Sequence, residues 1–202
     1  MATPDLYRLA GPSTWVALVS LVLSGIALGL FFGGAGSFWG PVNDILITVS
    51  AITLIPVVLA VDRLAGWDHG APWTRIITIA ALVGLVVMAS GQTLLVLGRL
   101  SLEGSYVTGG VGLMPFLLWI VLVAALSLTG GLLPRLVGWL AVATLAAIVV
   151  ETVVAAVTGG PVLWASTIGL VLILVAWMAS LAMAFGSTST SVASASGGLA
   201  TR

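Results

Sequence analysis

Five polar or charged side chains set within or beside apolar stretches are the candidates for chemistry in this sequence of 202 residues. They are Asn43, Asp44, Gln92, Arg99 and Glu151. Glu151 is the most informative of them, because it is the one ionisable side chain between Val137 and Val157. A carboxyl group at membrane depth is costly, so it normally faces a helix bundle or a water-filled cavity and marks a candidate functional site. Its chemistry would be the binding of a proton or a cation.

Small residues share one face of the predicted helix with Glu151. Ala143, Ala147 and Ala155 recur with it at intervals of four residues. Residues four apart in a helix lie on the same face, and small side chains allow another helix to approach closely. We therefore expect Glu151 to point at protein rather than at lipid.

The other polar residues are expected near the same end of the molecule. At a rise of 1.5 Å per residue, Asp44 lies about 5 Å inside its predicted span, and Gln92 and Glu151 lie roughly 8–9 Å inside theirs. Arg99 follows Gln92 by seven residues and is expected to share its helix face. The five residues together predict an outward-facing polar pocket that binds or translocates a small polar or cationic solute.

A structural role for the same residues is the alternative. Arg99 would pair with Glu103 or Asp44 at the membrane interface, while Glu151 and Gln92 would join helices through hydrogen bonds. Such bonds between membrane helices contribute only about 0.6–2 kcal/mol each, and they are common. The chain would then be a non-catalytic structural or accessory subunit of a larger membrane complex.

Motifs for catalysis or metal binding are absent from the sequence. It has no cysteine and no lysine, which excludes disulfides, iron–sulfur clusters and Schiff-base chemistry. His69, beside Asp62 and Asp68, is a single histidine and a weak metal site. Neither H-E-x-x-H, G-x-S-x-G nor a P-loop occurs. We expect no metal and no cofactor, and an intramembrane enzyme acting on lipid is the weakest of the functional hypotheses.

The composition indicates the fold class. Hydrophobic residues make up 60% of the chain and charged residues 6%, against roughly a quarter charged in soluble domains. The chain is therefore predicted to be an all-α, polytopic integral membrane protein whose partner is the lipid bilayer. With a formal net charge of zero and no basic run, no nucleic-acid partner is expected. The predicted spans are 14–32, 41–61, 76–97, 107–128, 137–157 and 162–185.

These spans predict one compact six-helix transmembrane domain over residues 1–185, followed by a disordered cytoplasmic tail over 186–202. Arginines are distributed unequally between its two ends. One end has Arg99, whereas the other has five, at positions 8, 63, 75, 135 and 202. The positive-inside rule therefore predicts cytoplasmic N- and C-termini in the plasma membrane.

Helix-packing signals suggest where partners could bind. Gly25, Gly29 and Gly33 form a ridge at four-residue spacing, suited to tight contact with a helix of the bundle or of a partner membrane protein. The length and six-span plan resemble many small bacterial membrane proteins, among them the substrate-binding components of vitamin importers. That resemblance covers topology alone and transfers no residue roles.

Overall fold

The computed structural model describes residues 3–66, 72–158 and 164–197. These residues form six α-helices, which confirms the all-helical prediction, and each is long and apolar enough to cross a membrane. The helices are α1 (Thr3–Phe32), α2 (Trp39–Leu64), α3 (Pro72–Val96), α4 (Leu102–Leu128), α5 (Arg135–Thr158) and α6 (Trp164–Gly197).

Several helices extend beyond the predicted spans, most clearly at the two ends of the chain. α1 begins at Thr3 rather than near residue 14, and α6 continues to Gly197, into the segment 186–202 for which the sequence predicts disorder. Starting a helix is the costly step and each added residue is cheap, so an apolar span can extend into polar flanks. Residues 198–202 lie outside the described part.

Arg99 lies beyond the end of α3. Gly98 adopts a positive φ of 66°, which glycine accepts without steric penalty. The Gly98 amide donates to the Leu95 carbonyl at 2.9 Å and the Arg99 amide to the Leu94 carbonyl at 2.8 Å, the pattern of a Schellman helix end. The expectation that Arg99 shares a helix face with Gln92 is therefore wrong, because the helix stops between them.

The six helices pack as a closed ring. Each helix contacts its neighbours in sequence, and α1 also packs against α6. Short connections favour this order, because they hold consecutive helices side by side and antiparallel. The ring therefore has two ends. We call the end with the exposed Arg8, Arg63, Arg75 and Arg135 the basic end, and the other, with Arg99, the opposite end.

An aromatic cluster fills the core of the ring. Trp119 of α4 and Trp177 of α6 are both fully buried, and their rings meet edge to face with centroids 6.4 Å apart. Phe116 stacks on Trp119 at 5.2 Å. Because α4 and α6 are not consecutive, this contact joins helices across the ring. Trp119 lies nine residues, about 14 Å, from the end of α4 at the basic end, and Trp177 is in contact with it. Phe185 of α6 is also buried.

Glycines bring α3 and α4 into backbone contact. A Cβ atom on Gly112 would lie 2.5 Å from the Gly84 carbonyl oxygen, and a Cβ on Gly84 would meet the Gly112 carbonyl oxygen. Gly91, two turns after Gly84 in α3, packs against the side chain of Thr108, one turn before Gly112 in α4. This crossing of small residues lets two helix backbones approach as closely as their atoms allow.

Candidate functional site

Glu151 lies on the bundle-facing side of α5. It shares a helix face with Thr144 and Val137, which are 0% and 1% exposed. Val149 and Val153, on the other side of the helix, are more than half exposed. Glu151 itself is half-buried. The stripe of small residues places its carboxyl toward protein, as the spacing predicts.

One carboxyl oxygen of Glu151 has no partner among the residues that the structure describes. Its Oε1 atom is buried, and within the described part of the chain no donor reaches it. A buried polar group left unsatisfied costs about 1–3 kcal/mol, and more if it is charged. The nearby Thr152 hydroxyl does not relieve this, because it donates to the Ile148 carbonyl of its own helix at 2.8 Å. The oxygen is therefore available to a proton or to a cationic group.

Asn43 and Asp44 form a hydrogen-bonded chain that begins in α1. The Ser24 hydroxyl donates to Asn43 Oδ1 at 2.6 Å, and Asn43 Nδ2 donates to Asp44 Oδ1 at 3.1 Å. Ser24 and Asn43 are buried at 4% and 7% exposure, whereas Asp44 is half-buried. Ser24 thus orients the Asn43 amide so that its NH2 group faces the aspartate.

Gln92 faces the bundle from α3. It is half-buried and shares a helix face with Leu85, which is 1% exposed. Its Nε2 atom would lie 4.0 Å from a Cβ added to Gly109, so the amide is beside α4. Arg99, in contrast, is exposed at the end of α3, and it forms no ion pair with a carboxylate among the residues the structure describes.

The predicted site residues come together only in part. Asn43 bonds to Asp44, but the described residues show no hydrogen bond or ion pair that links either of them to Gln92, Arg99 or Glu151. All of them nevertheless lie toward the opposite end. Asp44, Gln92 and Glu151 are within about 11 Å of the ends of α2, α3 and α5. A single pocket lined by all five stays a prediction.

A groove between α2 and α3 is a feature that sequence reasoning missed. Its volume is about 540 Å³, within the roughly 300–1,000 Å³ range of small-molecule sites. Its lining is mostly apolar with three hydroxyl groups, and comprises Thr48, Ile52, Ile55, Leu85, Val86, Ala89, Ser90, Thr93 and Leu94. Ile52 and Val86 are each 53% exposed, so the groove opens on the surface. The spacing of Thr48, Ile52 and Ile55 could have indicated one shared face.

Ser24 is the second feature that the sequence analysis missed. It lies on an α1 face with Ala17, Ser20 and Ala27, all of them buried. That repetition of small residues at helical spacing was a usable signal. It marks the face of α1 that packs against α2, where Ser50 also donates to the Ala17 carbonyl at 3.2 Å.

Metal ligands do not cluster in the described part of the chain, where no three residues among His, Asp and Glu are close enough to hold an ion. His69 and Asp68 lie outside the described residues.

Comparison of the chain with protein-family models, with curated proteins and with solved structures finds no match. The side chains described above are therefore the basis for a functional proposal.

Proposed function

We propose that this multi-pass membrane protein binds or translocates a small polar or cationic solute at a site built around Glu151. The observation that carries the proposal is the buried Oε1 atom, which has no donor within the described residues. Asn43, Asp44, Gln92 and Arg99 are the proposed polar surroundings.

A purely structural role explains this carboxyl group less well. A glutamate that joins helices is expected to have both oxygens hydrogen-bonded, because the bond is the gain that offsets burial of a polar group. Glu151 has a buried oxygen without a described partner on the bundle-facing side of α5. A bound proton or cation would satisfy that oxygen, and ionisable groups in membrane spans commonly serve such pathways.

The packing of the ring favours one direction of access. Trp119 and Trp177 fill the core nearer the basic end. Glu151 lies in the half of α5 that approaches the opposite end, where many α5 side chains are half-buried or exposed. We infer that the solute enters from the end with Arg99. From the arginine distribution we propose that this end is the outer side of a plasma membrane and that both termini are cytoplasmic.

Single cysteines test this proposal without background labelling, because the chain has no cysteine of its own. We expect Glu151→Cys in intact cells or sealed vesicles to react with a charged, membrane-impermeant thiol reagent. The reaction should occur from the side with Arg99. Mass spectrometry of the intact protein measures the labelled fraction.

Two matched controls lie on the same helix. Thr144→Cys is on the Glu151 face but fully buried, and Val150→Cys is 55% exposed on the side away from the bundle, where lipid would shield it. Neither should react with the charged reagent. If Glu151→Cys were equally unreactive from both sides, water would not reach this position and the proposed solute site would be rejected.

A subunit role has one observation in its favour. A Cβ added to Gly25 or Gly29 would meet nothing within 4 Å, and both residues are exposed. The ridge, completed by Gly33, therefore packs against no helix in the described part of the chain and could accept a partner membrane protein. Purification in mild detergent distinguishes the two functions, since a partner that is retained by the wild type and lost from Gly29→Leu supports the subunit.

A further inference from the structure

We propose that the groove between α2 and α3 binds an amphipathic organic cation, whose apolar body fills the groove and whose ammonium group lies at Asp44. This site shares Asp44 with the polar surroundings proposed for Glu151, but its groove is formed by α2 and α3 and does not include Glu151. The ligand would enter from the bilayer, because the groove opens on the surface of the bundle at Ile52 and Val86.

The groove matches the apolar part of such a ligand. Its floor contains Leu85 and Ala89, which are 1% and 8% exposed, while Ile52, Val86 and Leu94 form exposed sides. Two of its three hydroxyls are already used within their own helices. Thr48 donates to the Asp44 carbonyl at 2.9 Å and Thr93 to the Ala89 carbonyl at 2.8 Å. The surface that remains for a ligand is therefore predominantly apolar.

Asp44 lies one helical turn from Thr48, which lines the groove. It precedes Thr48 by four residues and Ile55 by eleven, so all three share one face of α2. Residues four apart have Cβ atoms about 5–6 Å from each other, which puts the carboxylate within reach of a head group whose chain lies against Thr48. The groove and the acid thus form one amphipathic surface.

The Asp44 carboxylate has spare capacity for a cation. Its Oδ1 accepts from Asn43, and the described residues provide no donor for Oδ2 and no arginine paired with the side chain. Ser24 holds the Asn43 amide in place from α1, so the carboxylate is anchored on one side and open on the other. A neutral lipid tail would leave this half-buried acid without a counter-charge, whereas an ammonium group would pair with it.

Photolabelling tests the assignment with a defined probe. An alkyltrimethylammonium carrying a diazirine in its chain would be added to the full-length protein in maltoside micelles, next to a neutral alcohol of equal chain length. We expect the ammonium probe to label α2 and α3 peptides that contain Ile52 and Val86. Asp44→Asn should weaken labelling by the ammonium probe about tenfold and leave labelling by the alcohol unchanged. Asp44→Glu should retain binding of the ammonium.

Steric variants show whether the probes bind in the groove or anywhere on the bilayer-facing surface. Ser90→Phe fills the groove from an exposed position and should reduce labelling by both probes. Ile79→Phe adds similar bulk at an exposed α3 position outside the groove and should change neither. Tryptophan fluorescence first establishes that each variant unfolds like the wild type.

Three results would overturn the proposal. The first is ammonium labelling that is unchanged in Asp44→Asn, and the second is labelling that is unchanged in Ser90→Phe. The third is a phospholipid that copurifies in the groove and that the ammonium probe does not displace. None of these results depends on Glu151, so failure here leaves the first proposal intact.

Discussion

Replacement of Gly112 by alanine tests the backbone contact between α3 and α4. The added Cβ would lie 2.5 Å from the Gly84 carbonyl oxygen and 3.0 Å from the Met88 Cβ, whereas ordinary van der Waals contact begins at 3.4 Å. Backbone atoms do not rotate out of the way, so the two helices must separate locally. We expect the protein to be destabilised.

The size of this effect can be isolated with a control on the same helix. Overpacking in a tight core costs about 1–3 kcal/mol. Alanine also improves helix propensity over glycine by about 1 kcal/mol, which opposes that cost. A Cβ on Gly110 would meet nothing within 4 Å, so Gly110→Ala carries the propensity gain alone. The difference in unfolding free energy between the two variants should be about 1–3 kcal/mol, with Gly112→Ala the less stable.

Unfolding in mixed micelles with increasing SDS, followed by fluorescence of the eight tryptophans, measures both variants under one condition. Circular dichroism should show that helix content before unfolding is unchanged. Equal midpoints for Gly112→Ala and Gly110→Ala would refute the reasoning. They would mean that α3 and α4 are further apart at this crossing than the structure places them.

Two further substitutions probe the remaining contacts by the same unfolding assay. Ser24→Ala removes the donor to Asn43 and should cost about 0.6–2 kcal/mol, whereas Ser20→Ala, equally buried but with no side-chain bond in the described part, should cost less. Trp119→Ala should cost about 3–5 kcal/mol because it empties a fully buried site. Trp119→Phe should cost much less, because the indole N–H has no acceptor among the described residues; similar costs for Phe and Ala would contradict this.

The composition and the long apolar stretches were sufficient to predict the helices. In a membrane every backbone N–H and C=O group must be hydrogen-bonded within the protein. Apolar stretches of this length are therefore expected to form helices. The four-residue spacing of alanines around Glu151 also predicted which side of α5 faces the bundle. Both inferences concern one helix at a time, where a period of 3.6 residues relates sequence to geometry directly.

Contacts between helices are harder to predict from the sequence. The glycine ridge at Gly25 and Gly29 looked like a packing surface, yet within the described chain the close crossing is made by Gly84 and Gly112. Glycine spacing identifies a face that another helix could approach, but it does not say which face is occupied. Likewise, continuing a helical period past Gly98 misplaced Arg99, because a glycine with positive φ ended the helix.

The sequence by itself determined that this chain is helical and apolar enough to span a membrane six times, and that Glu151 lies on a face of small residues, because these properties follow from composition and local periodicity. Only the tertiary structure decided that the helices close into a ring with Trp119 against Trp177 at its core, that Ser24 reaches Asn43 from another helix, and that a groove opens between α2 and α3. These features depend on which helices are neighbours and how closely they approach, and residues far apart in sequence carry no local signal of that choice.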